Sequence, residues 1–196
     1  MGGARSGLGV GRSIGGWMTD NWILTRGGVR FSLTRPAPEM VRLDDIAFAL
    51  AHVNRFAGHA GGYSVAEHSV RASWLGKTKR ERAYLLLHDA HEAYIGDISS
   101  PLKNEIGRAA IQAIARRIDG AVHRRFGLRW PRSAGVEALV RRADLVMLAT
   151  ERRHLMPAGE WDIELPAPLK EAIRPWKVGF ARAVFTAAAD DYGLPL

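Results

Sequence analysis

Apolar positions recur along the chain with two different periods. Near the start, Trp22-Ile23-Leu24-Thr25 and Val29-Arg30-Phe31-Ser32-Leu33 flank Arg26-Gly27-Gly28. A glycine pair between two short β-prone runs predicts a tight hairpin. Beyond Pro36 and Pro38 the spacing becomes helical, with Asp44 or Asp45 placed to cap a helix whose stripe is Ile46, Ala49, Leu50 and Val53. Ser64-Val65-Ala66-Glu67 has the capping-box form, Ser at the cap and Glu three residues on, and opens a helix running to about Leu75 before Gly76. Thr78-Lys79-Arg80-Glu81 repeats the device for a helix through Tyr84, Leu85, Leu87, His88 and Glu92, with Gly96 placed to end it. Ser100 before Pro101 starts a longer helix with the face Ile111, Ile114, Ala115, Ile118, Val122 and Phe126. Another spans about 133–156, stopped by Pro157, and 178–191 form a terminal helix after a proline-broken loop. The pattern predicts an all-α bundle of five to six main helices around one core, with a small N-terminal β-hairpin. The glycine-rich residues 1–16 read as a flexible leader without the apolar run of a signal peptide, and 17–196 as a single domain.

Composition narrows the chemistry. With 47% hydrophobic and 24% charged residues over 196 positions, the chain has enough apolar material for a core and is not disordered throughout. It has no cysteine, which excludes disulfides, zinc–thiolate sites, iron–sulfur clusters and cysteine nucleophiles. Any metal must take nitrogen or oxygen from His, Asp or Glu. No stretch reaches the roughly 20 apolar residues that span a bilayer, so no membrane partner and a cytoplasmic location are expected. The net charge of +8 invites a polyanionic partner. Most of that excess is local: residues 108–132 hold seven arginines and one aspartate, apart in sequence from the candidate ligands described next. Nucleic-acid binding through this segment is the alternative function it suggests, although basic helices of this kind are commonly solvated faces.

His88-Asp89 is the centre of interest, because three leucines, 85 to 87, lead straight into ionisable groups on a helix expected to be buried. Burying an unpaired His or Asp costs several kcal/mol, about 2 to 7 for a neutral polar group, whereas a metal ion can hold both and neutralise the carboxylate. Glu92 lies four residues from His88, which puts both on one face of a continuous helix. A hydrogen-bonded His–Asp pair, or the wet end of the helix, also fits this dipeptide. His68, in the first turn of the preceding helix, is placed to reach the same point. Asp144 sits four residues from Val140 and three from Met147, on the apolar stripe of its helix rather than its arginine face. On its own, Asp144 also suits an ion pair with Arg141.

The order His68, His88-Asp89, Asp144 resembles the HD superfamily of metal-dependent phosphohydrolases. The surroundings look closer to its small 5′-nucleotidase-like branch: residues 63–69 (Tyr-Ser-Val-Ala-Glu-His-Ser), 88–98 (His-Asp-Ala-His-Glu-Ala-Tyr-Ile-Gly-Asp-Ile), 100–103 (Ser-Pro-Leu-Lys), Ala143-Asp144, and 149–152 (Ala-Thr-Glu-Arg), with Asp45-Ile46-Ala47 and Arg55-Phe56 upstream. The resemblance covers roughly residues 22–157. It implies metal ligation by His68, His88, Asp89 and Asp144, a mixed N/O set suited to one divalent ion such as Mn, Co, Fe, Zn or Mg. Such an ion lowers the pKa of a bound water from 15.7 toward about 7 and screens the phosphoryl group. The resemblance further implies that Glu92 orients or deprotonates that water, or else supports a ligand histidine, and that Asp97 acts as an acid or a substrate anchor. Arg55 matches a phosphate-holding arginine, and Lys103 is a further phosphate candidate that also fits a solvated first turn. Phe56 stands where several nucleotidase-like members place a tryptophan against the sugar. His91 is read as a supporting or exposed residue, and His52 and His59 as structural or surface residues.

The expected activity is hydrolysis of nucleoside phosphates, deoxynucleoside mono- or triphosphates, by attack of a metal-activated water. A homo-oligomer, dimer or larger, is implied by resemblance alone. A non-catalytic nucleotide sensor on the same fold is the remaining alternative.

Overall fold

The computed structural model describes residues 21–195, so the expected leader lies outside the described residues. The architecture is mostly helical with one two-stranded antiparallel hairpin. Its strands, β1 (Trp22–Leu24) and β2 (Arg30–Ser32), pair Trp22 with Ser32 and Ile23 with Phe31. Gly28 supplies the positive φ of the turn, at 79°. Phe31 is fully buried and stacks on Tyr94 at 3.7 Å between ring centroids, so this small element plugs one side of the helical core. Burying one such ring is worth about 1.5–3 kcal/mol.

Eight α-helices follow among the described residues: α1 (Leu43–His52), α2 (Val65–Ser73), α3 (Lys79–Leu86), α4 (Glu92–Ile95), α5 (Ser100–Ile106), α6 (Arg108–Arg125), α7 (Ala134–Leu155) and α8 (Val178–Asp191). The central element is α2, in which every residue except Arg71 is buried. It packs on α1, α3, α7 and α8. Ile46, Leu50, Val70, Leu86, Ile118, Val122 and Phe185 meet in the main apolar cluster. A second, smaller cluster gathers Tyr63, Ala72, Met147 and Ile173.

Several helix ends differ from the sequence reading, each for a local reason. Arg42, not Asp44 or Asp45, is the residue before α1. Asp45 instead accepts bonds from Thr25 Oγ1 (2.7 Å) and the Gly27 amide (2.6 Å), tying the hairpin turn to the bundle. At α2 only half of the capping box forms. Ser64 accepts from the Glu67 amide, but the Glu67 carboxylate turns to Arg71 and the Trp176 amide. The Thr78–Glu81 box is complete. Ser99 rather than Ser100 precedes α5, and the helix expected to run on through Phe126 is interrupted at Gly107, whose φ of 106° is closed to other residues.

The helix expected through Glu92 also breaks, at residues 87–91. The Leu87 amide still bonds four residues back to Ala83, but those of Ala90, Glu92 and Ala93 bond three back to Leu87, Asp89 and Ala90. His88 Nδ1 holds the Leu85 carbonyl at 2.6 Å. This side-chain bond competes with helix continuation, and the tightened turn changes the direction in which each following side chain points.

A metal-competent His/Asp cluster beside a cationic cleft

Three elements converge on one point. The first turn of α2 supplies His68, the 87–91 turn supplies His88 and Asp89, and the middle of α7 supplies Asp144. His68 Nε2 lies 3.2 Å from His88 Nε2, 3.4 Å from Asp144 Oδ1 and 3.6 Å from Asp89 Oδ2, and His88 Nε2 lies 3.1 Å from Asp89 Oδ2. Ligands each about 2.1 Å from one ion are about 3.0 Å apart at a right angle and about 3.4 Å apart at a tetrahedral one. The observed spacings fall close to that range.

The remaining ring nitrogens are already committed. His68 Nδ1 donates to Glu151 Oε1 at 2.5 Å and His88 Nδ1 to the Leu85 carbonyl at 2.6 Å. As neutral rings, both therefore turn an unprotonated Nε2 toward the other, an arrangement that needs a cation between them. Without a metal, a proton on His68 serves. Burial and Arg55 oppose that charge, but Glu151 and Asp144 outweigh them and lift the His68 pKa to about 9. Against the burial that opposes their ionisation, His88, His68 and Arg55 hold Asp89 well below the usual carboxylate range, and His68 holds Asp144 down. His68, His88 and Asp144 thus form a set able to hold a divalent cation, with Asp89 alongside.

Arg55 enters from the loop between α1 and α2. The loop is pinched at its neck by bridging between Asn54 and Ser64 and by the bond from the Arg55 amide to Tyr63 O. Its tip holds Phe56 and Ala57 at φ 56° and 51°, a left-handed conformation costing about 1–2 kcal/mol per non-glycine residue. Arg55 Nε donates to Glu151 Oε2 at 3.1 Å, and its Nη1 lies 3.6 Å from Asp89 Oδ2. Phe56 packs against the second apolar cluster, 6.1 Å from the Trp161 ring, and does not line the cavity described below.

Glu92 begins α4, buried, and its Oε2 has no hydrogen-bond partner. Burial, with Asp89 and Asp97 nearby, pushes its pKa well above the usual carboxylate range, and burial raises Asp97 likewise. Because the helix breaks at 87–91, Glu92 groups with Asp89 and His91 rather than standing one helical turn above His88. Lys103, half-buried on α5, lies close enough for its charge to favour ionisation of both Glu92 and Asp97.

Three supporting residues received no role from the sequence, Glu151 standing there only within the matched string 149–152. Glu151 bridges His68 and Arg55; it sits seven residues after Asp144, two turns along the same face of α7, which is the signal that could have found it. Asp119 on α6 pairs with His91 Nδ1 at 3.1 Å, and Arg132 donates to the His88 carbonyl at 3.3 Å. His91 is thereby a strut between the turn and α6.

A cavity of about 900 Å³ opens between α6 and α7. His88, Asp89 and Asp144 line one part of it, and Lys103, Arg108, Arg116, Arg132 and Arg141 line others, with Trp130. The arginine-rich segment, read from sequence as apart from the ligand set, therefore shares its cavity. Sequence distance misled because α6, through Asp119, and the segment after it, through Arg132, fold back onto the 87–91 turn.

No helix among the described residues is long and apolar enough to cross a membrane. No family model matches the chain. It is 36% identical over 143 residues to the uncharacterized protein RCAP_rcc00048 of Rhodobacter capsulatus, covering 68% of this chain and 72% of that protein. It is 38% identical over 137 residues to the uncharacterized protein YfdR of Escherichia coli K12, covering 69% and 72%. The chain belongs to the family that contains RCAP_rcc00048 and YfdR.

Proposed function

We propose that this protein is a metal-dependent phosphohydrolase of the HD type acting on nucleoside phosphates. The observation that carries the reading is the His68–His88 pair, whose Nδ1 atoms are both occupied while their Nε2 atoms face each other beside Asp89 and Asp144. A divalent ion held there supplies Lewis-acid polarisation of a phosphoryl oxygen and an activated water. Arg55, kept charged by Glu151, Asp144 and Asp89 despite its burial, presents its guanidinium at the Asp89 corner, where it neutralises and orients an arriving phosphate. Glu92, buried with one oxygen free and its carboxyl pushed above the usual range by burial and by Asp89 and Asp97, is positioned beside Asp89 to exchange a proton with the attacking water or the leaving oxygen. The helix break at 87–91 supports this assignment, because it turns Asp89 and Glu92 toward one centre.

The test is a panel of nucleoside mono-, di- and triphosphates with Mn²⁺, Co²⁺ and Mg²⁺, resolving phosphate, pyrophosphate and triphosphate products. Metal-dependent release from at least one nucleotide, lost in Asp89→Asn, is expected. No turnover with any metal, or full turnover in Asp89→Asn, refutes it.

A further inference from the structure

The cations around the cavity are not all balanced. Arg132 lies 3.6 Å from Glu137 and 4.0 Å from Asp119, which engages His91 as well, so the acidic residues of this wall have partners. Arg108 is bonded to the neutral Asn104. Arg116 and Arg141 have no ion-pair partner among the described residues. They stand on opposite walls, Arg116 three residues before Asp119 on α6 and Arg141 three before Asp144 on α7, each about 4.5 Å along its helix from the cluster end of the cavity. Arg108 extends the same face of α6 by roughly 12 Å more. A single phosphate at the His/Asp cluster has Arg55 and Lys103 beside it and leaves Arg116 and Arg141 unused.

The apolar part of the lining is also built. Trp130 lies over Gly120, where an added Cβ would meet its ring at 3.1 Å, and packs on His123 at 4.7 Å. Trp130, Ile111 and Ala115 give the cavity an apolar share of its lining beside the cations.

We propose that this cavity binds the polyphosphate chain of a nucleoside triphosphate, with Arg116 and Arg141 gripping phosphoryl groups beyond the one at the His/Asp cluster. The proposal deepens the phosphohydrolase reading and rests on it for the position of the first phosphate.

The experiment is calorimetric titration of inorganic tripolyphosphate and of orthophosphate into the full chain at constant free Mg²⁺. It compares the wild type, the double variant Arg116→Gln/Arg141→Gln, and a matched control, Arg117→Gln/Arg142→Gln, whose exposed arginines are off the cavity. Tripolyphosphate should bind at least about tenfold more tightly than orthophosphate, and the cavity variant should lose about that factor while the control stays within about twofold. Equal affinity for the two anions, or equal losses in both double variants, overturns the proposal. A short single-stranded oligonucleotide that displaces tripolyphosphate at lower concentration overturns it in favour of nucleic acid. Turnover of the nucleoside mono-, di- and triphosphate panel in the same preparation reports on the phosphohydrolase reading alone. Its absence with every nucleotide beside tight tripolyphosphate binding removes that reading and leaves the binding site standing. Its presence beside weak tripolyphosphate binding does the reverse.

Discussion

Where α2, the 87–91 turn and α7 meet, Arg55, His68, Asp89 and Glu151 are held against one another with little solvent between them, and half-exposed Asp144 closes the cluster on the cavity side; along the outer half of α6, arginines stand exposed with few partners. The same charges do different physical work in the two places. In the inner cluster each group fixes the protonation state and direction of the next, so the arrangement is rigid and costly to disturb. In the outer cleft solvent screens each charge, and its loss costs the fold little. The inner cluster is suited to chemistry and the outer cleft to catching an anion.

The largest break is expected from Asp89→Ala. Removing the carboxylate between both histidines and Arg55 should lower nucleotide turnover by about 10⁴-fold or to the limit of detection. Metal stoichiometry measured by atomic spectroscopy after desalting should fall with it, since a loss of activity with full metal content would assign Asp89 to the substrate instead.

Glu151 comes next, and its two variants separate stability from metal affinity. Glu151→Ala leaves Arg55 buried without its main partner and should cost about 3–5 kcal/mol in urea unfolding without metal. Glu151→Gln keeps an acceptor of the same shape but removes the charge behind His68, so it should fold and bind Mn²⁺ about 10–100-fold more weakly by calorimetry. Wild-type Mn²⁺ affinity in Glu151→Gln would mean that the bridge positions Arg55 and not the histidine.

The two regions were also unequally legible in the sequence. Local signals read well: α7 runs within a residue of the expected 133–156, α8 spans the expected residues, and the glycine pair gives the hairpin. The break at 87–91 did not show, because three leucines followed by His-Asp-Ala-His-Glu have unremarkable helix propensities. What stops the helix is His88 bonding its own chain, with Asp119 and Arg132 fastening the turn from outside. Glu151 is 83 residues from His68; its spacing of seven from Asp144 puts it on the same face of α7, but only the fold shows that this face meets a histidine on α2. Arg116 and Arg141 look like ordinary solvated arginines in any window of the chain; only the fold sets them across one cavity from the ligand set.

Between the two regions stands His123, buried against Trp130 and Tyr84, with Nδ1 on the Asp119 carbonyl and Arg132 Nε 3.4 Å from Nε2. Burial, then the Arg132 charge, depresses its pKa to about 4, against about 6.5 for the unfolded chain. The native state therefore keeps His123 neutral where the unfolded state takes up a proton. Its contribution is intact above about pH 6.5 and falls as the pH drops from there to about 4, by about 3 kcal/mol in all. Urea midpoints of wild type should fall more steeply between pH 7 and pH 4.5 than those of His123→Gln. Parallel curves would show that His123 titrates with solvent access.

The smallest effect sharpens the comparison most. Arg116→Gln and Arg141→Gln should each shift unfolding free energy by no more than about 0.5 kcal/mol, the usual range for exposed positions without an ion-pair partner. If either arginine instead supports the fold by more than about 1 kcal/mol, it is engaged with the protein and not available to a ligand. The distinction between a rigid inner cluster and a receptive outer cleft then fails at that residue. If both changes are silent in stability but weaken anion binding, the charge was placed for the ligand, because an unpaired exposed arginine that the fold does not use has only its field and its five donors to contribute.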